Sequence, residues 1–214
     1  MHSGFSAARP LRLGVLISGS GTTLANLIER ISDGRVRNTE IGLVVSSRST
    51  VRGVEIARSA RLPLEIIRKC DFANLQSLSD AIRVALERAG VDLVVLAGFL
   101  CFWQIPPSYQ GRVLNIHPAL LPAFGGRGFY GQHVHQAVLA ARLRESGCTV
   151  HLADNEYDHG PIVAQTRVAI WPDDTPASLA ARVLAAEREL YPQVIQQVAD
   201  EGLGWLARFN RPVS

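Results

Sequence analysis

The tightest constraint on the fold is an alternation of short runs of valine, isoleucine and leucine with stretches of helical periodicity. The apolar runs are Leu11 to Ser18, Ile41 to Ser46, Leu64 to Ile67, Leu93 to Ala97 and Val113 to Ile116, and helical patterns such as Leu24 to Ile31 and Leu75 to Arg88 lie between them. Strands and helices in turn imply βαβ units, with parallel strands joined by crossover helices. Near-continuous apolar runs such as Val94, Val95, Leu96 and Ala97 suit central strands covered on both faces. The expected fold class is α/β: an open, mostly parallel, doubly wound sheet with helices on both faces. Beyond Pro118, a loop carrying Gly125, Gly126, Gly128 and Gly131 leads to a predicted helix from Val134 to Leu143. Strands at Thr149 to Leu152 and Ile162 to Val168 and a long helix from Pro176 to Val198 follow. No repeat, low-complexity segment or linker separates the two halves. The expected organisation is one domain over residues 11–205, with halves at 11–115 and 116–205 and tails at 1–10 and 206–214.

A chain of 214 residues with 47% apolar content can bury a core of its own. Its 22 lysines and arginines against 19 acids leave a net charge of +3, and the bases are scattered rather than gathered in a run. That distribution argues against a nucleic-acid partner and leaves room for an anionic small molecule. Cys70, Cys101 and Cys148 are odd in number, widely spaced and outside any Cys-x-x-Cys pattern. They speak against a disulfide framework or zinc knuckle and for a reducing cytoplasm. Met1 to Pro10 holds no apolar run of signal-peptide length, and no segment approaches the roughly 20 apolar residues of a membrane span. The expected protein is cytoplasmic, with no membrane partner.

Ile17-Ser18-Gly19-Ser20-Gly21-Thr22-Thr23-Leu24 passes from the first strand into the first helix. A glycine turn there bares backbone N–H groups at the positive end of the helix dipole, which is what a phosphate needs. The same residues also read as a tight turn with Thr22 or Thr23 capping the helix. Gly19-x-Gly21 lacks the third glycine of a dinucleotide fingerprint, strand two ends in Ser46-Ser47-Arg48 rather than an acid, and no Gly-Lys-Ser/Thr follows. The better functional reading is the single phosphate of a mononucleotide-like substrate.

Leu114-Asn115-Ile116-His117-Pro118 is the most informative stretch. Alternation along a strand puts Asn115 and His117 on one face and Leu114 and Ile116 on the other. Pro118 cannot donate to the ladder and ends the strand. Both polar groups then stand at the carboxyl edge, where open α/β sheets hold ligands. An amide donor beside an imidazole can stabilise the oxyanion of a tetrahedral intermediate and relay protons. A motif this short equally describes a satisfied histidine near the core and a turn-forming asparagine.

Downstream, Thr149-Val150-His151 runs into the acidic loop Asp154-Asn155-Glu156-Tyr157-Asp158-His159-Gly160-Pro161. A carboxylate near His117 would orient its ring and favour its charged form. Spacing alone does not bring Asp158 there, and an ordinary solvated turn fits the same residues. His117, His151 and Asp158 also contain the elements of a two-histidine, one-carboxylate metal set. No His-Glu-x-x-His pair accompanies them, and His133 and His135, two apart on a predicted helix, do not share a face. No metal is expected.

Taken together, Ser18-Gly-Ser-Gly-Thr-Thr-Leu24, Leu96-Ala-Gly-Phe99, Asn115-Ile-His-Pro-Ala-Leu-Leu-Pro122, Gly147-Cys-Thr-Val-His151 and Asp158-His-Gly-Pro161 resemble the phosphoribosylglycinamide formyltransferases of the 10-formyltetrahydrofolate superfamily. The resemblance covers about Leu11 to Gly202. It implies the formyltransferase fold, Rossmann-like in its N-terminal half, with 11–115 the nucleotide-binding half and 116–205 the folate-binding half. It further implies formyl transfer from 10-formyltetrahydrofolate, a co-substrate, to the amine of 5'-phosphoribosylglycinamide in de novo purine synthesis. Partners would be these small molecules, and the enzyme a monomer or homodimer. A formyltetrahydrofolate deformylase would add an amino-terminal regulatory domain and a methionyl-tRNA formyltransferase a carboxyl-terminal barrel, and neither extension is expected. A formate-releasing folate hydrolase and a non-catalytic nucleotide-binding module are the alternatives.

Carried over by position, the resemblance implies Asn115, His117 and Asp158 as the catalytic set. Gly21, Thr22 and Thr23 would hold the phosphate through backbone amides, and Glu187 the ribose hydroxyls. Leu100, Cys101, Phe102 and Trp103 match the segment lining the folate cleft, where Asn115 also contributes. Asp154, Asn155, Glu156, Tyr157 and Asp158 match the loop that closes over the pterin. Cys101 stands where several members have arginine, and Leu75 where some have an arginine near the folate. The glycine-rich stretch Phe124 to Gln132 is longer than in some members and is expected to be a mobile substrate loop, with Arg127 a candidate phosphate or folate-tail contact. In the expected chemistry, Asn115 and protonated His117 hydrogen-bond the oxyanion formed when the amine attacks the formyl carbon. Asp158 raises the pKa of His117, His151 positions Asp158 or packs, and the cysteines line core or cleft.

Overall fold

The computed structural model describes residues 9–209, and the expected tails at 1–10 and 206–214 lie largely outside them. Among the described residues, seven strands form one sheet: β1 (Leu11–Ile17), β2 (Thr39–Ser46), β3 (Leu64–Ile66), β4 (Leu93–Leu96), β5 (Val113–His117), β6 (Glu145–Leu152) and β7 (Ile162–Ala169). The helices are α1 (Thr22–Ser32), α2 (Arg52–Ser59), α3 (Leu75–Arg88), α4 (Gln132–Ala140) and α5 (Pro176–Glu201). The strand order is β3-β2-β1-β4-β5-β6-β7. Strands β1 to β5 pair in parallel, and β6 and β7 join as antiparallel neighbours. The sheet is therefore open, mostly parallel and doubly wound. The chain winds outward from β1 to β3, then crosses back to β4 on the other side of β1, and this reversal opens a crevice at the carboxyl ends of β1 and β4.

Strand alternation sorts the core into two layers. Leu13, Val15, Ile17, Val95 and Leu114 pack on one face against α1, α2, α4 and α5, through residues such as Leu27, Ala57, Val138 and Val194. Leu16, Val45, Val94 and Val113 pack on the other against Leu78, Ile82 and Leu86 of α3. A strand buried on both faces has no polar positions left, which is why these strands read as unbroken apolar runs.

Most element boundaries shift by a residue or a few from the sequence expectation, and two shift for a visible reason. The helix expected at Val134 to Leu143 runs from Gln132 to Ala140, starting just after Gly131 at φ 55° and ending before Arg142 at φ 53°. Strand β6 begins at Glu145 rather than Thr149, because Glu145 to Cys148 pair with Thr166 to Ala169 of β7. Past the end of α5, a 3-10 stretch, Leu203–Arg208, buries Leu206 completely. Among the described residues, no helix is long and apolar enough to cross a membrane.

Candidate active site

The carboxyl ends of β1, β4 and β5 open on a cleft of about 1110 Å³. Gly19 to Thr23 and Arg48 line part of it. Gly21, the N-cap of α1, has φ 70°, and a Cβ there would stand 2.5 Å from the Gly53 Cα. The Gly53 N–H also donates to the Gly19 carbonyl at 3.0 Å, so this loop and α2 meet backbone to backbone. Among the described residues no side chain caps α1, and Ser20 Oγ and Thr22 Oγ1 bond each other at 2.9 Å. The capping alternative for Thr22 and Thr23 is thus not adopted, and the first-turn amides keep their donor capacity.

Helix α5 brings Glu187 to the same cleft. One turn further on, the buried Tyr191 hydroxyl donates to the Leu114 carbonyl at 2.8 Å and lies 3.2 Å from the Leu96 carbonyl, which pins the helix over the ends of β4 and β5. Burial pushes the Glu187 carboxyl up to about 7.

Asn115 and His117 end β5 and line the cleft with Asp158 and His151. The antiparallel register places His151 opposite Asn115. Asn115 Nδ2 lies 3.0 Å from His151 Nε2 and donates to Asp158 Oδ1 at 3.2 Å. His151 Nδ1 is 3.1 Å from the Leu152 carbonyl. The Asn115 amide nitrogen thus faces a ring nitrogen of His151 and a carboxylate oxygen of Asp158, and the two contacts together fix the orientation of the amide. Asp158 Oδ2 accepts from the Gly126 N–H at 3.0 Å and lies 3.4 Å from His117 Nδ1. The loop that delivers Asp158 is folded back by Leu152 N–H donating to the Pro161 carbonyl at 2.9 Å. Asp158 takes φ 54°, uncommon for a non-glycine, and its several partners hold it there.

His117 is 3% exposed, and its Nε2 sits 2.7 Å from the Phe124 carbonyl. Burial lowers its pKa; the charge of Asp158 and the Phe124 contact act in the opposite direction without overcoming it. The expectation of a His117 raised by Asp158 therefore holds for the sign of that interaction and is corrected in its net result. Burial pushes the Asp158 carboxyl up, but the His151 and His117 rings and the Gly126 amide outweigh it and hold the group below its ordinary value.

The segment after β4 supplies Leu100, Cys101, Phe102 and Trp103 to the cleft, and the Asp158 loop supplies Glu156 and Tyr157. The Phe102 and Tyr157 rings meet at 5.2 Å between centroids. Asp154 and Asn155 do not join this lining as expected and border a separate hollow of about 230 Å³. Asn155 Oδ1 accepts from Ile105 N–H at 2.7 Å, and Asp154 accepts from Glu156 N–H at 2.8 Å and meets His159 Nδ1 at 3.0 Å. Both side chains brace the loop. Arg127 and the glycines at 126, 128 and 131 line the cleft, whereas Leu75 is 40% exposed at the start of α3 and takes no part in the lining.

Among the titratable lining residues, two escape the sequence reading as members of the site. Arg48 reads there only as the end of strand two. His135, which the sequence offers only as half of a failed metal pair, is 5% exposed, and burial first and the His117 charge second lower its pKa. Among the described residues no group of three or more histidines, cysteines or acids is placed to hold a metal.

This fold and cleft define an open, doubly wound α/β protein with an amide, an imidazole and a carboxylate gathered at the carboxyl edge of its sheet. Residues 11–195 match the formyl transferase family model, and the chain belongs to that family. The chloroplastic phosphoribosylglycinamide formyltransferase of Arabidopsis thaliana is 41% identical over 200 residues, covering 92% of this chain and 68% of that protein. The phosphoribosylglycinamide formyltransferase of Haemophilus influenzae is 35% identical over 187 residues, 86% of this chain and 85% of that one. The crystal structure of glycinamide ribonucleotide transformylase 1 from Symbiobacterium toebii superposes with a TM-score of 0.85 at 34% identity, covering 93% of each chain.

Proposed function

We propose that this chain moves the formyl group of 10-formyltetrahydrofolate to the amine of phosphoribosylglycinamide, as its relatives' names describe. The observation that carries the reading is the meeting of Asn115, His117 and Asp158 in the cleft that the uncapped start of α1 also lines. In this reading the amides of Gly21, Thr22 and Thr23 receive the phosphate, Glu187 takes the ribose hydroxyls, and Leu100 to Trp103 with Glu156 and Tyr157 enclose the folate. Asp154 and Asn155 act by shaping the loop. The enzyme works on two small molecules as a monomer or homodimer. Its unpaired cysteines favour a reducing compartment, which we take to be the cytoplasm.

Both amide hydrogens of Asn115 and Nε2 of His117 face protein acceptors. A formyl oxygen therefore engages them by replacing those partners. As the amine attacks, negative charge grows on that oxygen, and hydrogen bonds from Asn115 and His117 strengthen in step with it. Asp158 keeps the His117 ring oriented and stabilises its protonated form as the proton passes from the amine towards the folate nitrogen.

The deciding experiment is a coupled folate assay on the full chain. Formyl transfer that requires the ribonucleotide amine is the expected outcome, unaffected by a chelator. Formate release without the amine would make it a hydrolase, and calorimetric ribonucleotide binding without folate turnover would make it a binding module.

A further inference from the structure

The ladder between β1 and β4 ends at Leu16 and Leu96, and the chain then turns through Gly98 at φ 74° to start the segment Leu100 to Trp103. The far end of that segment is well held. Trp103 is 5% exposed, and its indole N–H donates to the Ser79 carbonyl at 3.3 Å. The near end has no such apolar anchor, because the Leu100 side chain is 53% exposed. Its fixed point is a side chain from another loop: the Leu100 N–H donates to Ser18 Oγ at 2.8 Å. Ser18 is fully buried at the start of the phosphate loop, its own N–H donates to the Gly98 carbonyl at 3.1 Å, and its Oγ lies 2.6 Å from Ser47 Oγ. Ser47, 7% exposed, immediately precedes Arg48 and donates its N–H to the Ile17 carbonyl at 3.0 Å.

We propose that Ser18 is a positioning residue for the folate: it stands on the phosphate loop, yet its hydroxyl sets where Leu100 to Trp103 lies. This rests on the reading that Leu100 to Trp103 lines the folate site. The hydroxyl oxygen has a lone pair to accept from Leu100 and shares one hydrogen bond with Ser47, which holds it in place. Replacing Ser18 by alanine leaves the Leu100 N–H without its partner, and the segment must shift to find another. The phosphate amides of Gly21 to Thr23 lie beyond Gly19, whose carbonyl is held separately by Gly53, so they keep their places.

Ser18→Ala is therefore expected to raise the folate KM about tenfold while kcat and the ribonucleotide KM stay within about twofold. Ser18→Thr, which keeps the oxygen, is expected to restore the folate KM. Phe102→Ala serves as an independent check that the segment lines the folate site. If Phe102→Ala raises the folate KM and Ser18→Ala does not, the Ser18 link is wrong. If neither does, the folate lies elsewhere and the proposal falls with its premise. A rise confined to the ribonucleotide KM would overturn it too, since Ser18 would then serve the phosphate loop alone. Should Ser18→Ala not fold, Ser47→Ala loosens the same hydroxyl pair. A folate KM raised about twofold to threefold then supports the proposal, and an unchanged one overturns it.

Discussion

The His117 ring stands between the Phe124 carbonyl at 2.7 Å and the Asp158 carboxylate at 3.4 Å. Either neutral tautomer leaves one ring nitrogen facing an acceptor with a lone pair, and only the ring carrying both protons answers the two together. Burial opposes that form and prevails, so the net pKa lies below the ordinary histidine value. The group is held neutral in surroundings that favour taking up a proton once negative charge appears beside it. Asp158→Asn removes a charge that raises the His117 pKa, so an NMR titration should show the His117 transition at still lower pH in this variant. Turnover should fall in both His117→Ala and Asp158→Asn by about 10² to 10⁴, with ribonucleotide binding retained. A His117 pKa that rises in Asp158→Asn would remove Asp158 as the partner that favours the charged ring, and near-normal turnover in either variant would remove that residue from the catalytic set.

At the scale of elements, the loop from β1 into α1 is shaped by what it must approach. Gly21 combines φ 70° with a backbone contact on α2 that leaves no room for a Cβ. Gly21→Ala should cost about 1–3 kcal/mol in a denaturant midpoint and raise the ribonucleotide KM more than the folate KM; equal changes in both would mean that the loop does not serve the phosphate. Gly21 and the apolar strands β1, β2, β4 and β5 were legible in the sequence because burial on both faces, or a positive φ, leaves few residues to choose from. The opening of β6 was not, since Glu145, Ser146 and Gly147 owe their strand form to cross-strand partners in β7. Helix α2 went unnamed because eight residues give barely two turns for a helical pattern to repeat. The shared face of Asn115 and His117 followed from alternation within one strand. His151 beside Asn115 needed the β5–β6 register, Asp158 needed a folded-back loop, and His135 needed the packing of α4, all of them long-range facts.

Across the whole molecule, two core layers hold the sheet, and two of the carboxylates in the cleft at its carboxyl edge stand under opposite influences. Asp158 is held below its ordinary value by its partners, whereas burial lifts Glu187 to about 7. Glu187 therefore links global stability to pH. Its pKa is higher folded than unfolded, so the folded chain binds the extra proton across the interval between the two values. The stability this gives is fully present below the unfolded glutamate value and is lost as pH rises through about 7. Glu187→Gln, neutral throughout, escapes the loss: its melting temperature relative to the parent chain should climb between about pH 5 and about pH 8 and then level off. Ribonucleotide binding should run the other way. A carboxylate accepts hydrogen bonds from ribose hydroxyls better than a protonated acid does, so the parent chain should bind more tightly as Glu187 ionises, and Glu187→Gln should lose that part of the pH dependence. The substrate phosphate titrates in the same window but contributes equally to both proteins, so the difference between them isolates residue 187. Parallel pH profiles for the two proteins would show that Glu187 meets no ribose, and a flat difference in melting temperature would show that its carboxyl is not lifted. Agreement on both counts would identify it as a charge that costs the fold stability at neutral pH and is retained for the ligand.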